Sequence, residues 1–281
     1  MTTDFCTEFT KTRLSSVLSF TAPGNSPNGG AKRSRTSKGR HSARRGRPLC
    51  ASVAFFAVIY VVGGFVANVH VGAVNRVFEY DPAADRWRAV AALGAPRGSP
   101  GVVALNGKLH AIGGRNPERN TVSTHEVYDP ATNSWSTAAL LPLARDHLGI
   151  AVAGGRIHIF GGRTNATVDN TARHDVYDPS TNTWSTAAPL ITPRSAGVTF
   201  SLDGRIVYAG GECRDPQASV TFTEVEAYDP RTDRWTALPP LQPGRHAAGA
   251  VVAGQQAYLF GGNMGCGGNR PSNEVLTFRL P

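Results

Sequence analysis

Residues 97–135 read RGSPGVVALNGKLHAIGGRNPERNTVSTHEVYDPATNSW, and three marks in this stretch decide the fold. Arg97 stands sixteen residues ahead of Gly113, the first of a Gly-Gly pair, and a Tyr-Asp-Pro at Tyr128–Pro130 is followed by Trp135, seven residues after the Tyr. The same marks recur in phase. Gly pairs fall at Gly63–Gly64, Gly113–Gly114, Gly161–Gly162, Gly210–Gly211 and Gly261–Gly262, at spacings of 50, 48, 49 and 51 residues. Tyr and Trp keep their interval at Tyr80/Trp87, Tyr128/Trp135, Tyr177/Trp184 and Tyr228/Trp235, and the Arg returns at Arg145, Arg194 and Arg245.

Within each unit, Gly101–Leu105 and Lys108–Ile112 flank Asn106-Gly107, a two-residue hairpin signal because both turn positions favour positive φ. Gly154-Gly155 and Asp203-Gly204 hold that place in later units. A third strand runs into the Tyr-Asp-Pro turn and the Trp opens a fourth. The aromatics are expected between neighbouring sheets, where each can bury about 150–250 Å². One four-stranded sheet cannot cover both of its faces, whereas copies set radially in a ring can. The fold class is therefore all-β.

Composition agrees. Of 281 residues, 31 are Gly and 19 Pro, and only 17% are charged against 41% hydrophobic, which excludes wholesale disorder and disfavours long helices. The net charge of +9 is not spread over the fold. Residues 1–49 contain 10 Lys/Arg and 2 Asp/Glu, whereas the other 232 contain 19 and 18, a net of +1. The globular part thus carries no nucleic-acid signature. Four cysteines with no C-x-x-C pair argue neither for a disulfide scaffold nor for zinc.

These marks resemble the kelch repeat, in which a Gly-Gly doublet precedes a spaced Tyr and Trp. The resemblance covers about residues 47–281 and implies a β-propeller of four-stranded blades. Five units are recognised, at about 47–94, 95–142, 143–191, 192–241 and 242–281. The resemblance implies six blades, the usual number in the family, and the last unit here stops at a third strand (274–280), so an incomplete six-bladed ring is expected. Residues 1–46 are expected to be a disordered basic tail, not native to the fold on one reading. Leu49–Ala67 is uncharged for 19 residues and can be read as a signal anchor, but its register with later units favours strands.

Arg97, Arg145, Arg194 and Arg245 stand just before the innermost strands, where repeat logic expects a cationic ring at one mouth of the channel, suited to carboxylates. His147 and His246 are placed beside it. The bland reading has each Arg bonding nearby loop carbonyls. The loops after the Gly pairs form a second candidate surface, with Arg115, Arg163, Glu212 and Arg214 near the blade entrance. Cys213 and Cys266, in loops of adjacent units, are either a disulfide or two free thiols. His110 and His158, like His125 and His174, occupy equivalent positions and are expected to be spread around the ring rather than paired. No metal or cofactor signature is found. The reading favoured is a monomeric, non-enzymatic module binding a protein segment or small anionic ligand. Its rivals are a sialic-acid mutarotase-like enzyme, using Glu212 with Arg145 and Arg194, and a truncated, non-functional propeller.

Overall fold

The computed structural model describes residues 51–55, 58–67, 70–166 and 168–280. The expected tail, residues 1–46, lies outside them. Ala51–Phe55 (β1) and Val58–Val62 (β2) pair as antiparallel strands, Phe55 opposite Val58, so the first blade claims what could be read as an anchor. No helix among the described residues is long and apolar enough to cross a membrane.

The first blade continues through a small hairpin, Phe65–Ala67 (β3) and Val71–Ala73 (β4), to Val77–Asp81 (β5) and Arg86–Val90 (β6). The second is built of Gly101–Leu105 (β7), Lys108–Ile112 (β8), His125–Asp129 (β9) and Ser134–Thr137 (β10). The third has Gly149–Ala153 (β11), Arg156–Phe160 (β12), His174–Asp178 (β13) and Thr183–Thr186 (β14). The fourth has Val198–Leu202 (β15), Arg205–Asp215 (β16), Val220–Asp229 (β17) and Arg234–Leu238 (β18). The fifth has three strands, Gly249–Ala253 (β19), Gln256–Phe260 (β20) and Val275–Phe278 (β21). Every blade is an antiparallel meander, and β16 and β17 run on past the sheet as a bulged hairpin.

The core lies between blades. Tyr60 and Val62 meet Leu109 and Ala111, Leu105 and Ile112 meet Ile157 and Ile159, Phe160 meets Ile206 and Tyr208, and Val207 and Ala209 meet Ala257 and Leu259. Aromatic marks stitch the same boundaries. Trp135, Trp184 and Trp235 donate Nε1–H to the carbonyls of Ala91, Ala139 and Ala188 of the preceding blade, at 2.7, 2.9 and 2.9 Å. Asn133, Asn182 and Asp233 return the tie, each accepting from the N–H of that same Ala and from the Tyr hydroxyl of its own blade.

The innermost strands pack in the order β1–β7–β11–β15–β19, and the join from fifth blade to first is not among these packed pairs. Two details mark the seam. Among the described residues, Trp87 Nε1 is buried without a hydrogen-bond partner, where its counterparts bond a preceding blade. On the other side, Val251 of β19 is 46% and Val275 of β21 is 53% exposed.

The Gly pairs lock one blade to the next. The second Gly donates to the carbonyl of the following blade's Arg: Gly64 to Arg97, Gly114 to Arg145, Gly162 to Arg194 and Gly211 to Arg245. The first Gly lies so close to that carbonyl that a Cβ on Gly161 would sit 2.5 Å from Arg194 O, at a φ of +59°. Both crowding and backbone sign therefore demand glycine there.

Candidate functional site

The four repeated arginines stand where the repeat places them but point elsewhere. Arg97, Arg145, Arg194 and Arg245 are at most 1% exposed. Each donates to the carbonyl of its own blade's first doublet Gly: Gly113 (3.1 Å), Gly161 (2.9 Å), Gly210 (3.0 Å) and Gly261 (3.2 Å). Each also pairs with a third-strand or nearby carboxylate: Glu126, Asp175 (2.9 Å), Glu226 (2.6 Å) and Glu274 (3.0 Å). Arg194 further donates to Thr192 O and Tyr208 O. The expected cationic ring at the channel mouth is thus replaced by four clasps inside the blades. A charged group buried this deeply must be paired, and the blades supply the partners. The sequence held the signal: Glu126, Asp175 and Glu226 each stand two residues before the repeat Tyr.

A different set converges on the axis. Two rows of positions meet there: the residues just after the arginines (Gly98, Asp146, Ser195, His246) and those just after the Gly pairs (Phe65, Arg115, Arg163, Glu212, Asn263). The rows are tied by paired backbone bonds, Gly98 with Arg115, Asp146 with Arg163 and His246 with Asn263, while Glu212 N donates to Ser195 O. One residue further on, Ser99, His147, Ala196 and Ala247 share positive φ values of 50, 50, 57 and 50°. Ala196 N donates to His147 O and Ala247 N to Ala196 O, a chain running from blade to blade.

At the centre lies Asp146, fully buried. It accepts from Arg115 Nε, from Arg163 Nε at 3.2 Å and from His147 Nδ1 at 3.0 Å. Burial works against this carboxylate, but His147 and the two guanidiniums outweigh it and bring its pKa down to about 2. Arg163 Nη1 reaches Glu212 Oε2 at 2.7 Å. Burial opposes the Glu212 charge too, and Arg163 overrides it, so its pKa is also lowered. Arg163 Nη2 lies 3.3 Å from each ring nitrogen of His147 and 3.1 Å from His70 Nε2.

A carboxylate only accepts, so Nδ1 of His147 holds a proton toward Asp146. Its Nε2 faces Ser99 Oγ at 3.4 Å and His70 Nε2 at 3.3 Å. His70 arrives from the β3–β4 hairpin of the first blade. Burial, then the neighbouring His147 and Arg163, lower its pKa to about 4. His246, with Nε2 at 3.0 Å from Gly265 O, is likewise held below the ordinary imidazole value by burial, partly offset by Glu212. The guanidiniums of Arg115 and Arg163 thus face the carboxylates of Asp146 and Glu212 within one cluster.

Of the expected loop residues, Arg115, Arg163 and Glu212 come together, with His147 and His246 from beside the repeated arginines, and Arg214 does not. It is exposed, pairs with Glu224 and lies over Phe222. Asp146, His70 and Ser99 escaped the sequence reading. Asp146 follows Arg145 directly, so reading the residue after each Arg would have found it; nothing in the repeat announces His70. Cys213 and Cys266 form a disulfide, with Cα atoms 4.8 Å apart. The repeat-equivalent histidines lie in different blades as expected, His110 and His125 in the second and His158 and His174 in the third, but contacts within each blade were not foreseen. His110 Nδ1 bonds His125 Nε2 at 2.9 Å and His158 Nδ1 bonds His174 Nε2 at 3.0 Å, each pair within one blade, because adjacent strands bring the second- and third-strand positions together. No group of three or more His, Cys, Asp or Glu suited to a metal occurs among the described residues.

The loops after the Gly pairs gather around this cluster and are laced to each other. Arg115 Nη2 donates to Thr164 O and Asn165 O, Thr121 to Asn165 Oδ1, and Gly267 N to Glu212 Oε1. Arg119 and Arg270 are exposed at their tips.

Comparison with known proteins agrees with this architecture. Residues 40–262 match the model of the KLHDC2/KLHL20/DRC7 Kelch-repeats domain. Kelch-like protein 26 of Danio rerio is 31% identical over 206 residues, which cover 73% of this chain and 34% of that protein. Kelch-like protein 35 of Mus musculus is 39% identical over 66 residues, 24% of this chain and 10% of the relative. The matched part of the chain therefore spans about a third or less of the length of these curated relatives. The solved structure of YjhT superposes with a TM-score of 0.69 at 16% identity, covering 83% of this chain and 81% of that one.

Proposed function

The chain belongs to the kelch-repeat family, and from that premise we propose that it is a non-enzymatic recognition module whose post-doublet loops bind an acidic protein segment or small anionic ligand. The observation that carries this reading is the gathering of four loops, variable in sequence, over an axial cluster whose charges already hold one another in place. Such a cluster is a rigid floor. Recognition then falls to the rim, where Arg119 and Arg270 present exposed guanidiniums and Arg214 holds its own only in an exposed pair. Rigid scaffolds with variable loops are a common basis of binding, and guanidiniums favour carboxylates through bidentate geometry.

The test uses the full chain and fluorescent peptides of equal length carrying acidic, neutral or basic side chains, read by anisotropy. Acidic peptides are expected to bind best, with affinity falling as salt rises. Arg119→Ala with Arg270→Ala should weaken them about fivefold, in keeping with rim charges worth about 1 kcal/mol in total. Equal binding of neutral peptides, or an unchanged affinity in the double variant, overturns the reading.

A second reading, an acid–base enzyme acting on an anionic sugar, draws on one observation: His147 is held between Asp146 and the Ser99 hydroxyl. Its residues would be His147 and Glu212, because Arg145 and Arg194 are enclosed in their blades. Anomer exchange of sialic acid followed by NMR, unaccelerated by the protein, eliminates it.

A further inference from the structure

Among the described residues the fifth blade packs against one neighbour. It has three strands, and alternate residues of β19 (Gly249, Val251, Ala253) are exposed. Its packed neighbour is the fourth blade, through Ala257 and Leu259. At the loop end of this boundary three ties are crowded into a few residues. They are the Cys213–Cys266 disulfide, the bond from Cys266 N to Ser219 Oγ at 3.0 Å, and that from Gly267 N to Glu212 Oε1 at 3.1 Å.

The two sulfurs are unequally placed. Cys213 lies on the long strand β16 and is 4% exposed. Cys266 is half-buried in the loop after β20, with Sγ 3.6 Å from Asp215 O and 3.8 Å from Val220 O. A thiolate must approach the sulfur it attacks from the side opposite the leaving sulfur, so access selects Cys266.

We propose that this disulfide is a modification site for low-molecular-weight thiols, exchange at which releases the fifth blade's loop. The incoming thiolate attacks Cys266 Sγ and forms a mixed disulfide there. The Cys213–Cys266 bond breaks, its electron pair leaves on Cys213 Sγ, and that sulfur takes a proton from water. One disulfide replaces another, so no external oxidant or reductant is needed. Loop 263–273 then keeps the hydrogen bonds of Cys266 N and Gly267 N to the fourth blade. Because Glu212 joins Gly267 to Arg163, the change reaches the axial cluster. The proposal does not depend on the recognition reading, since its readouts involve no ligand.

The test uses the full chain with Cys6→Ser and Cys50→Ser, so that only this pair reports, treated with reduced glutathione at about pH 8, where thiolate is plentiful. Remaining thiols are capped with N-ethylmaleimide, peptides are mapped by mass spectrometry, and amide exchange is followed on the same sample. Glutathione is expected on Cys266 and maleimide on Cys213. Amide exchange over residues 264–272 should rise about tenfold, equivalent to ~1.4 kcal/mol of local stability, while β8 and β12 stay unchanged. A Cys213→Ser/Cys266→Ser variant should show the raised exchange with or without glutathione. Glutathione on Cys213, no adduct, or unchanged exchange after the adduct forms overturns the proposal. So does a double variant as protected as the oxidised protein.

Discussion

Replacing Arg194 with Met tests whether the repeated arginine is a clasp or a ligand group. In the native blade Arg194 is fully buried and donates to Gly210 O, Thr192 O and Tyr208 O at 3.0, 3.0 and 2.8 Å, and to Glu226 Oε1 at 2.6 Å. Met fills much of the same volume but leaves three carbonyls without this donor and the 1%-exposed Glu226 without its cation. Breaking a buried pair from one side costs about 3–5 kcal/mol. Glu226 still accepts from Ile191 N and Thr192 N, both at 3.0 Å, which places the loss toward the lower end of that range. The double variant Arg194→Met/Glu226→Gln removes the stranded charge and keeps an oxygen for one of those amides, so it should be more stable than the sum of the singles predicts. Arg214→Met, at an exposed pair, is the control and should cost less than ~1 kcal/mol. Urea unfolding followed by tryptophan fluorescence and circular dichroism gives the midpoints, with unchanged slopes required for a stability comparison. A loss under ~1 kcal/mol for Arg194→Met would refute the clasp and return the guanidinium to the candidate ligand set.

Burial, above all, lowers the pKa of His110 to about 4, His125 to about 3, and His158 and His174 to about 4, from an ordinary 6.5. The unfolded chain then binds more protons below pH 6.5, so stability is full above that pH and falls as pH drops toward about 4, by up to ~1.4 kcal/mol per unit per imidazole; a melting temperature flat across this window contradicts it. Gly161→Ala should cost several kcal/mol, because φ is +59° and the new Cβ meets Arg194 O at 2.5 Å, whereas Gly154→Ala, with open space around it, should cost only ~1–2 kcal/mol of backbone strain. Equal losses in chemical denaturation would show that crowding is irrelevant. Asn182→Ala removes the acceptor for both Ala139 N and Tyr177 OH, and a loss of about 1–3 kcal/mol is expected by the same measurement; no loss would mean that the latch between second and third blades carries no stability.

How much could be read beforehand follows from what a repeat encodes. Phase fixes backbone position, so the strands, the doublets at blade junctions and the Tyr and Trp between sheets were legible. Side-chain direction is another matter. Arg145 could face the channel or its own blade at the same backbone position, and the choice was made by Asp175, thirty residues away on the third strand. The axial site was half legible for the same reason. Arg163 and Glu212 follow doublets and so announce themselves, but Asp146 acquires meaning only once the two rows are laid side by side, and His70 depends on the path of an irregular hairpin. The histidine pairs were missed because only equivalent positions in different blades were compared, whereas adjacent strands of one blade make the contact.

The order in which the blades pack bears on how the chain acquires its shape. Contacts between segments far apart in sequence are slow to form. From the second blade to the fifth, each described blade rests on its immediate predecessor through local meanders and one boundary. Docking of these blades can therefore proceed in order along the polypeptide as it is synthesised.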